Sequence, residues 1–274
     1  HAEFDEWLKT RHEHRAMVEE MNGEYVEQWE RENEWGLQGA YDPEIRDKAL
    51  DADGIAGEVI FADGDAVTGM EAPPFGAGLH AGAITDPKLA WAGARAHNRW
   101  LEEFCASNPP RRAGVALVPI THGVEESVKE IYALADKPGI KGIMIPTMWH
   151  NAESYGHEKY DPIWPACHET GLVVHTHSGE ADAEAYNENM AQYMLEVAFW
   201  THRPLWQFLL SGKFDKYPNF KYVPVECGSW WLGDLLWKTD VMFGGTNWKV
   251  KKMSSRTKGL IERLPSEYVG ENVF

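Results

Sequence analysis

The chain has 274 residues, 43% of them hydrophobic, with a formal net charge of −17; that length suits one large α/β domain or two small ones. The acidic balance disfavours nucleic acid and anionic membrane surfaces, which are bound through Lys and Arg, and no run of roughly 18 apolar residues is present to span a membrane. An acidic small substrate is not excluded, because a bound cation can dominate locally, and Cys105, Cys167 and Cys227, far apart and without CxxC spacing, read as reduced thiols of a cytoplasmic protein.

Residues 1–40 are acidic, with Phe4, Trp7 and Leu8, then Met17, Val18 and Met21, then Tyr25, Val26 and Trp29 recurring among charges. This pattern predicts a helical N-terminal segment packed on a core built from residues 41–274. His12 and His14, two apart on a helix, fall on different faces and read as surface residues. Asp42-Pro43 starts a short helix. Residues 57–63 read as a buried strand, and the proline- and glycine-rich 71–78 as a loop. Asp86-Pro87 caps a long helix reaching about Ser107, whose Arg95, His97, Asn98 and Arg99 read as outer-face or inter-helix polar groups. Strands follow at 112–120, 140–147, 171–177 and 220–227. The intervening helices are expected at 125–136, 162–170, 187–213 (bent or broken before Pro204) and 230–243. Glu271 to Phe274 reads as the start of a sixth strand.

Strand and helix alternate throughout, which predicts parallel βαβ units in a TIM-type barrel or a doubly wound sheet. Neither GxGxxG nor GxxxxGK[ST] occurs, so nucleotide-binding sheets lose ground. In a barrel, the residues at the carboxyl ends of the strands share one rim, where chemistry sits. The histidine strand, Gly171-Leu-Val-Val-His-Thr-His-Ser-Gly179, ends with His175 and His177 two apart, so both imidazoles point the same way. The last strand ends at Glu226, a carboxylate at the end of an apolar run that needs a partner. His122 and His150 follow two other strands. Histidines and a carboxylate converging there suit a divalent-metal or acid–base site. His202, inside an otherwise apolar helix, either reaches that site as a catalytic group or caps the helix break. Trp149, His150 and Trp231 are the candidate substrate contacts, and the 13 tryptophans fit an apolar or aromatic ligand as well as core packing. Cys227, with no paired base, reads as a packed thiol.

Four segments together resemble the amidohydrolase-related family, in the branch that holds aminocarboxymuconate-semialdehyde decarboxylase and related carboxy-lyases. They are residues 160–179, 50–61, 98–119 and 211–231, the last carrying Val225-Glu-Cys-Gly-Ser-Trp-Trp231. The resemblance implies a distorted (β/α)8 barrel with a divalent metal, usually zinc. Carried over, its mid-chain metal histidine falls on His177, with His175 as the alternative. Where the decarboxylases hold a proton-transferring histidine, this sequence has Glu226. The family's early HxH strand and late aspartate are not found, so the sequence is expected to form a barrel without its first and last strands. These implications point to a metal-dependent hydrolase acting on a small, aromatic or cyclic substrate. The alternatives are a non-oxidative decarboxylase or hydratase using the same site, and a non-catalytic barrel that binds a ligand. The partners expected are a small-molecule substrate and a second copy in a homodimer, with no nucleic acid and no membrane.

Overall fold

The computed structural model describes residues 28, 31, 32, 38–62, 86–147, 153–177, 190–244 and 261–274. Most of the expected N-terminal helical segment lies outside these residues, as do Trp149, His150, His12 and His14.

Helices begin where the sequence places caps. The Asp42 carboxylate accepts from the Glu44 and Ile45 amides to start α1 (Pro43–Ala52), and Asp86 accepts from the Lys88 amide to start α2 (Pro87–Ala106). One face of α2, carrying Ala90, Ala94, Asn98, Leu101 and Cys105, is buried. Asn98 therefore corrects the reading of it as an outer-face or inter-helix group. Its amide donates to the Leu117 carbonyl at 2.9 Å and accepts from the Leu117 N–H at 2.7 Å. A buried side chain is thus matched to two backbone groups that water cannot reach. Arg95 does bridge helices, to Glu126 and Glu130 of α3 (Val124–Ala135).

Five parallel strands pair in chain order: β1 (Glu58–Ile60), β2 (Arg112–Leu117), β3 (Ile140–Met144), β4 (Val173–Thr176) and β5 (Tyr222–Pro224). A doubly wound sheet reverses its strand order at a switch point, whereas a barrel adds each strand beside the last. The observed order is the barrel's, and these five strands with their helices form part of a TIM-type barrel. Val273 makes a parallel bridge to Tyr222 on the far side of β5, where the sequence reading expects a sixth strand to begin. β1 departs from the reading of a buried strand: Val59 is 55% exposed, and its neighbours Glu58 and Ile60 on the other face are only partly buried.

The remaining helices are α4 (Ile163–Thr170), α5 (Met190–Leu209), α6 (Lys213–Lys216) and α7 (Leu232–Gly244). α5 runs through Pro204 without the expected break. Pro204 lacks the N–H that would reach the Trp200 carbonyl, and the helix is tied from outside one residue further on. The Thr176 hydroxyl of β4 donates to the Thr201 carbonyl at 2.8 Å, and the Tyr222 hydroxyl lies 2.5 Å from Thr176 Oγ1. Aromatic packing fills the space beneath: Phe208 meets Trp164, Phe220 and Tyr222 at centroid distances of 4.9, 5.1 and 5.1 Å. Not every tryptophan is core or pocket wall, since Trp230 and Trp237 are exposed. No helix among the described residues is long and apolar enough to cross a membrane.

The amino ends of the strands carry a structural network. The Arg112 side chain at the start of β2 is wholly buried. It donates to Asp47, Glu58, the Pro43 carbonyl and Ser107, and lies over the Phe104 ring at 4.7 Å. A buried guanidinium needs this many acceptors to offset its desolvation. The network joins α1, β1, β2 and α2 at the end opposite the candidate site.

Candidate metal and acid–base site

Strand register builds the site. Val174, His175 and Thr176 pair with Tyr222, Val223 and Pro224, and the Val225 amide donates to the Thr176 carbonyl at 2.8 Å. Continuing that register one step brings the residue after β4 beside the residues after β5. His177 Nδ1 and Glu226 Oε2 lie 3.4 Å apart, with side chains 21% and 65% exposed. On the other side of β4, the Thr147 hydroxyl donates to the His177 carbonyl at 2.8 Å. His177 is thereby held from β3 while its ring faces Glu226.

His175 lies deeper on the same face. Its Nδ1 is 3.0 Å from the Val173 carbonyl. A carbonyl only accepts, so Nδ1 carries the proton and Nε2 the lone pair. Burial pushes this imidazole down to about 4, against a weaker opposing pull from that hydrogen bond. The ring fits because β3 has no side chain beneath it: a Cβ on Gly142 would stand 2.6 Å from His175 Cε1 and 2.8 Å from Nδ1.

Phe61, just past β1, closes this face. Its ring centroid is 5.6 Å from that of His175, edge-on, and 5.3 Å from that of His177. That single ring touching both imidazoles agrees with the two-residue spacing that puts them on one side of the strand. Phe61 and Thr147 were not singled out in the sequence. Their only sequence signal is position, each standing just after an apolar run that becomes a strand.

The Glu226 backbone is left-handed, with φ of 58°. A non-glycine residue there costs on the order of 1–3 kcal/mol and persists only where neighbours hold it. Cys227 beside it is buried, and burial pushes its thiol up to about 11; it is a packed thiol rather than a nucleophile. Trp231 turns inward over this loop, its indole N–H shared between the Cys227 and Gly228 carbonyls at 2.8 and 3.0 Å. His202 lies flat on the Trp231 ring, with centroids 3.6 Å apart and planes at 12°. The His202 imidazole is buried and its pKa falls to about 4 for that reason. His122 ends a 3-10 turn (Ile120–His122), where its carbonyl faces the Trp91 indole at 3.4 Å.

The structure thus pairs His177 with Glu226, sets His175 deeper on the same face of β4, and stacks His202 on Trp231 behind the Glu226 loop. Two donors each about 2.0–2.1 Å from a tetrahedral divalent ion stand roughly 3.3–3.5 Å apart. An imidazole nitrogen and a carboxylate oxygen at 3.4 Å therefore fit as part of such a ligand set. Among the described residues there is no group of three or more His, Cys, Asp and Glu side chains that could hold a metal ion.

A search of curated protein sequences returned no match. Solved structures do resemble the fold. A 5-carboxyvanillate decarboxylase from Novosphingobium aromaticivorans, solved with bound manganese and 3-methoxy-4-hydroxy-5-nitrobenzoic acid, is 23% identical with a TM-score of 0.63; the match covers 84% of this chain and 61% of that one. A 2,6-dihydroxybenzoate decarboxylase from Rhizobium is 20% identical with a TM-score of 0.57, over 83% of this chain and 67% of that one. An amidohydrolase from Mycobacterium avium subsp. paratuberculosis is 20% identical with a TM-score of 0.64, over 85% and 58%. The chain therefore spans about 58–67% of the length of these three structures. The amidohydrolase family profile matches residues 61–242, from Phe61 at the site to the end of α7, and this chain belongs to that family.

Proposed function

We propose that this chain carries the site of a metal-dependent, non-oxidative decarboxylase of hydroxylated aromatic carboxylates. The observation that carries the reading is the His177–Glu226 pair, 3.4 Å apart beside Phe61 at the carboxyl ends of parallel strands. The decarboxylases among the similar structures favour carbon–carbon cleavage over the hydrolysis expected from the sequence. The manganese in one of them favours manganese over zinc.

His177 would hold the ion, and the Nε2 lone pair of His175 is the second donor proposed for it. When bound, the ion supplies positive charge that holds and polarises the substrate's carboxylate and neighbouring hydroxyl. Phe61 offers an aromatic edge for the substrate ring, and Trp149, His150 and Trp231 remain the proposed further contacts. Glu226, at the pair's exposed end, relays a proton from solvent. As the bond to the carboxylate breaks and carbon dioxide leaves, the electron pair left on the ring carbon takes a proton from the Glu226 carboxyl.

The test is carbon dioxide release from 2,6-dihydroxybenzoate and 5-carboxyvanillate with manganese added, alongside metal analysis by mass spectrometry. Glu226→Gln should lower turnover by roughly 10²–10⁴-fold while metal stays bound. His177→Ala should lose metal with the fold intact. Metal retained at wild-type level in His177→Ala would remove that residue from the ligand set. Hydrolysis of amides or lactones without carbon dioxide release would restore the hydrolase reading.

A further inference from the structure

Glu226 sits between two fixed peptide groups. On one side the Val225 amide is tied to the Thr176 carbonyl of β4. On the other, the Cys227 and Gly228 carbonyls are both tied to the Trp231 indole N–H. The residue between them holds a left-handed backbone that a free loop would abandon. The indole is in turn fixed by the His202 ring on its face, and His202 belongs to α5, where Phe199 and Trp206 flank it at 5.9 and 5.3 Å. A chain of contacts thus runs from the middle of α5 to the carboxylate that faces His177.

We infer that Trp231, backed by His202, is a positioning residue that aims Glu226 at His177. Its indole N–H fixes the carbonyls one and two residues past Glu226, and the stack on His202 keeps the indole from swinging into solvent. His202 acts through the face of its ring, so a flat apolar ring can replace it. The contact between Glu226 and His177 stands on geometry, and only its consequence for turnover rests on the function proposed above.

The experiment is nitrogen-15 spectroscopy of the full chain labelled in histidine, free of added metal and at one fixed pH. The His177 signal is assigned by its loss in His177→Gln. Glu226→Gln replaces the carboxyl partner with an amide and moves that signal. Trp231→Phe, which keeps the stack but removes the N–H, should move it the same way. In the Glu226→Gln background Trp231→Phe should move it no further. His202→Phe should leave the signal at its wild-type position, whereas His202→Ala should shift it as Trp231→Phe does. A His177 signal unmoved by Trp231→Phe, or moved again in the double variant, overturns the inference. Turnover of 2,6-dihydroxybenzoate is read on the same proteins: Trp231→Phe should cost about tenfold, and clearly less once Glu226 is Gln, when only its contact with substrate is left to lose. Should Glu226→Gln keep full turnover, the proton-transfer role of Glu226 fails while the His177 signal still decides the positioning role.

Discussion

The approach of His175 to β3 depends on a side chain that is not there. Gly142→Ala would place a Cβ within 2.8 Å of both the imidazole and the Val173 carbonyl. A packed site has no slack to absorb that, so overpacking should cost roughly 1–3 kcal/mol. A urea midpoint lowered to match is the expected result, and an unchanged midpoint would mean that the ring moves freely. At this scale the sequence is informative about position and mute about distance. His175 and His177 stand on one face because strands repeat every two residues, and Glu226 stands last on an apolar run. Nothing local says that Glu226 meets His177, because that contact depends on the register of β4 on β5. Phe61 was invisible for the same reason: a phenylalanine after a strand looks like core until its neighbours are known.

Whole elements are tied at the amino ends of the strands by Arg112, whose buried charge makes its neighbours depend on it. Arg112→Met would strand Asp47 and Glu58 without their buried partner, and breaking a buried pair in this way costs about 3–5 kcal/mol. Urea unfolding should show that loss, while removing the exposed Asp234–Lys238 pair on α7 should barely move the midpoint. Helices and strands themselves follow the sequence pattern closely, because caps, glycines and apolar spacing act within a few residues. Asn98 shows where pattern reading stopped short. Ala90, Ala94, Leu101 and Cys105 mark one helical face at a spacing that includes Asn98, yet its polarity suggested solvent. A buried amide becomes sensible only when an unpaired strand peptide, here Leu117, is seen beside it. Pro204 is the converse case: the local rule predicts a break, yet α5 runs through it, tied to β4 and β5 at the Thr201 carbonyl.

At the level of the molecule, burial of histidines gives stability a direction with pH. His97, His175 and His202 are all pushed down to about 4 by desolvation. Between that value and the ordinary one near 6.5, the unfolded chain binds protons that the folded chain refuses. Stability therefore falls as pH drops through that window, by on the order of 1.4 kcal/mol per pH unit for each histidine. Urea midpoints measured at intervals from neutral to acidic pH should decline with that slope, and a flat profile would show that these rings meet water.

The sequence by itself determined the alternation of parallel strands and helices, the rim residues His175, His177 and Glu226, and the family resemblance, since each is written in short-range periods and motifs. Tertiary structure decided that the strands pair in barrel order, that Glu226 turns left-handed toward His177, and that His202 backs Trp231 rather than capping a broken helix. The reason is physical: side-chain direction repeats every two or 3.6 residues and is local, whereas register, burial and stacking are set by partners far away in the chain.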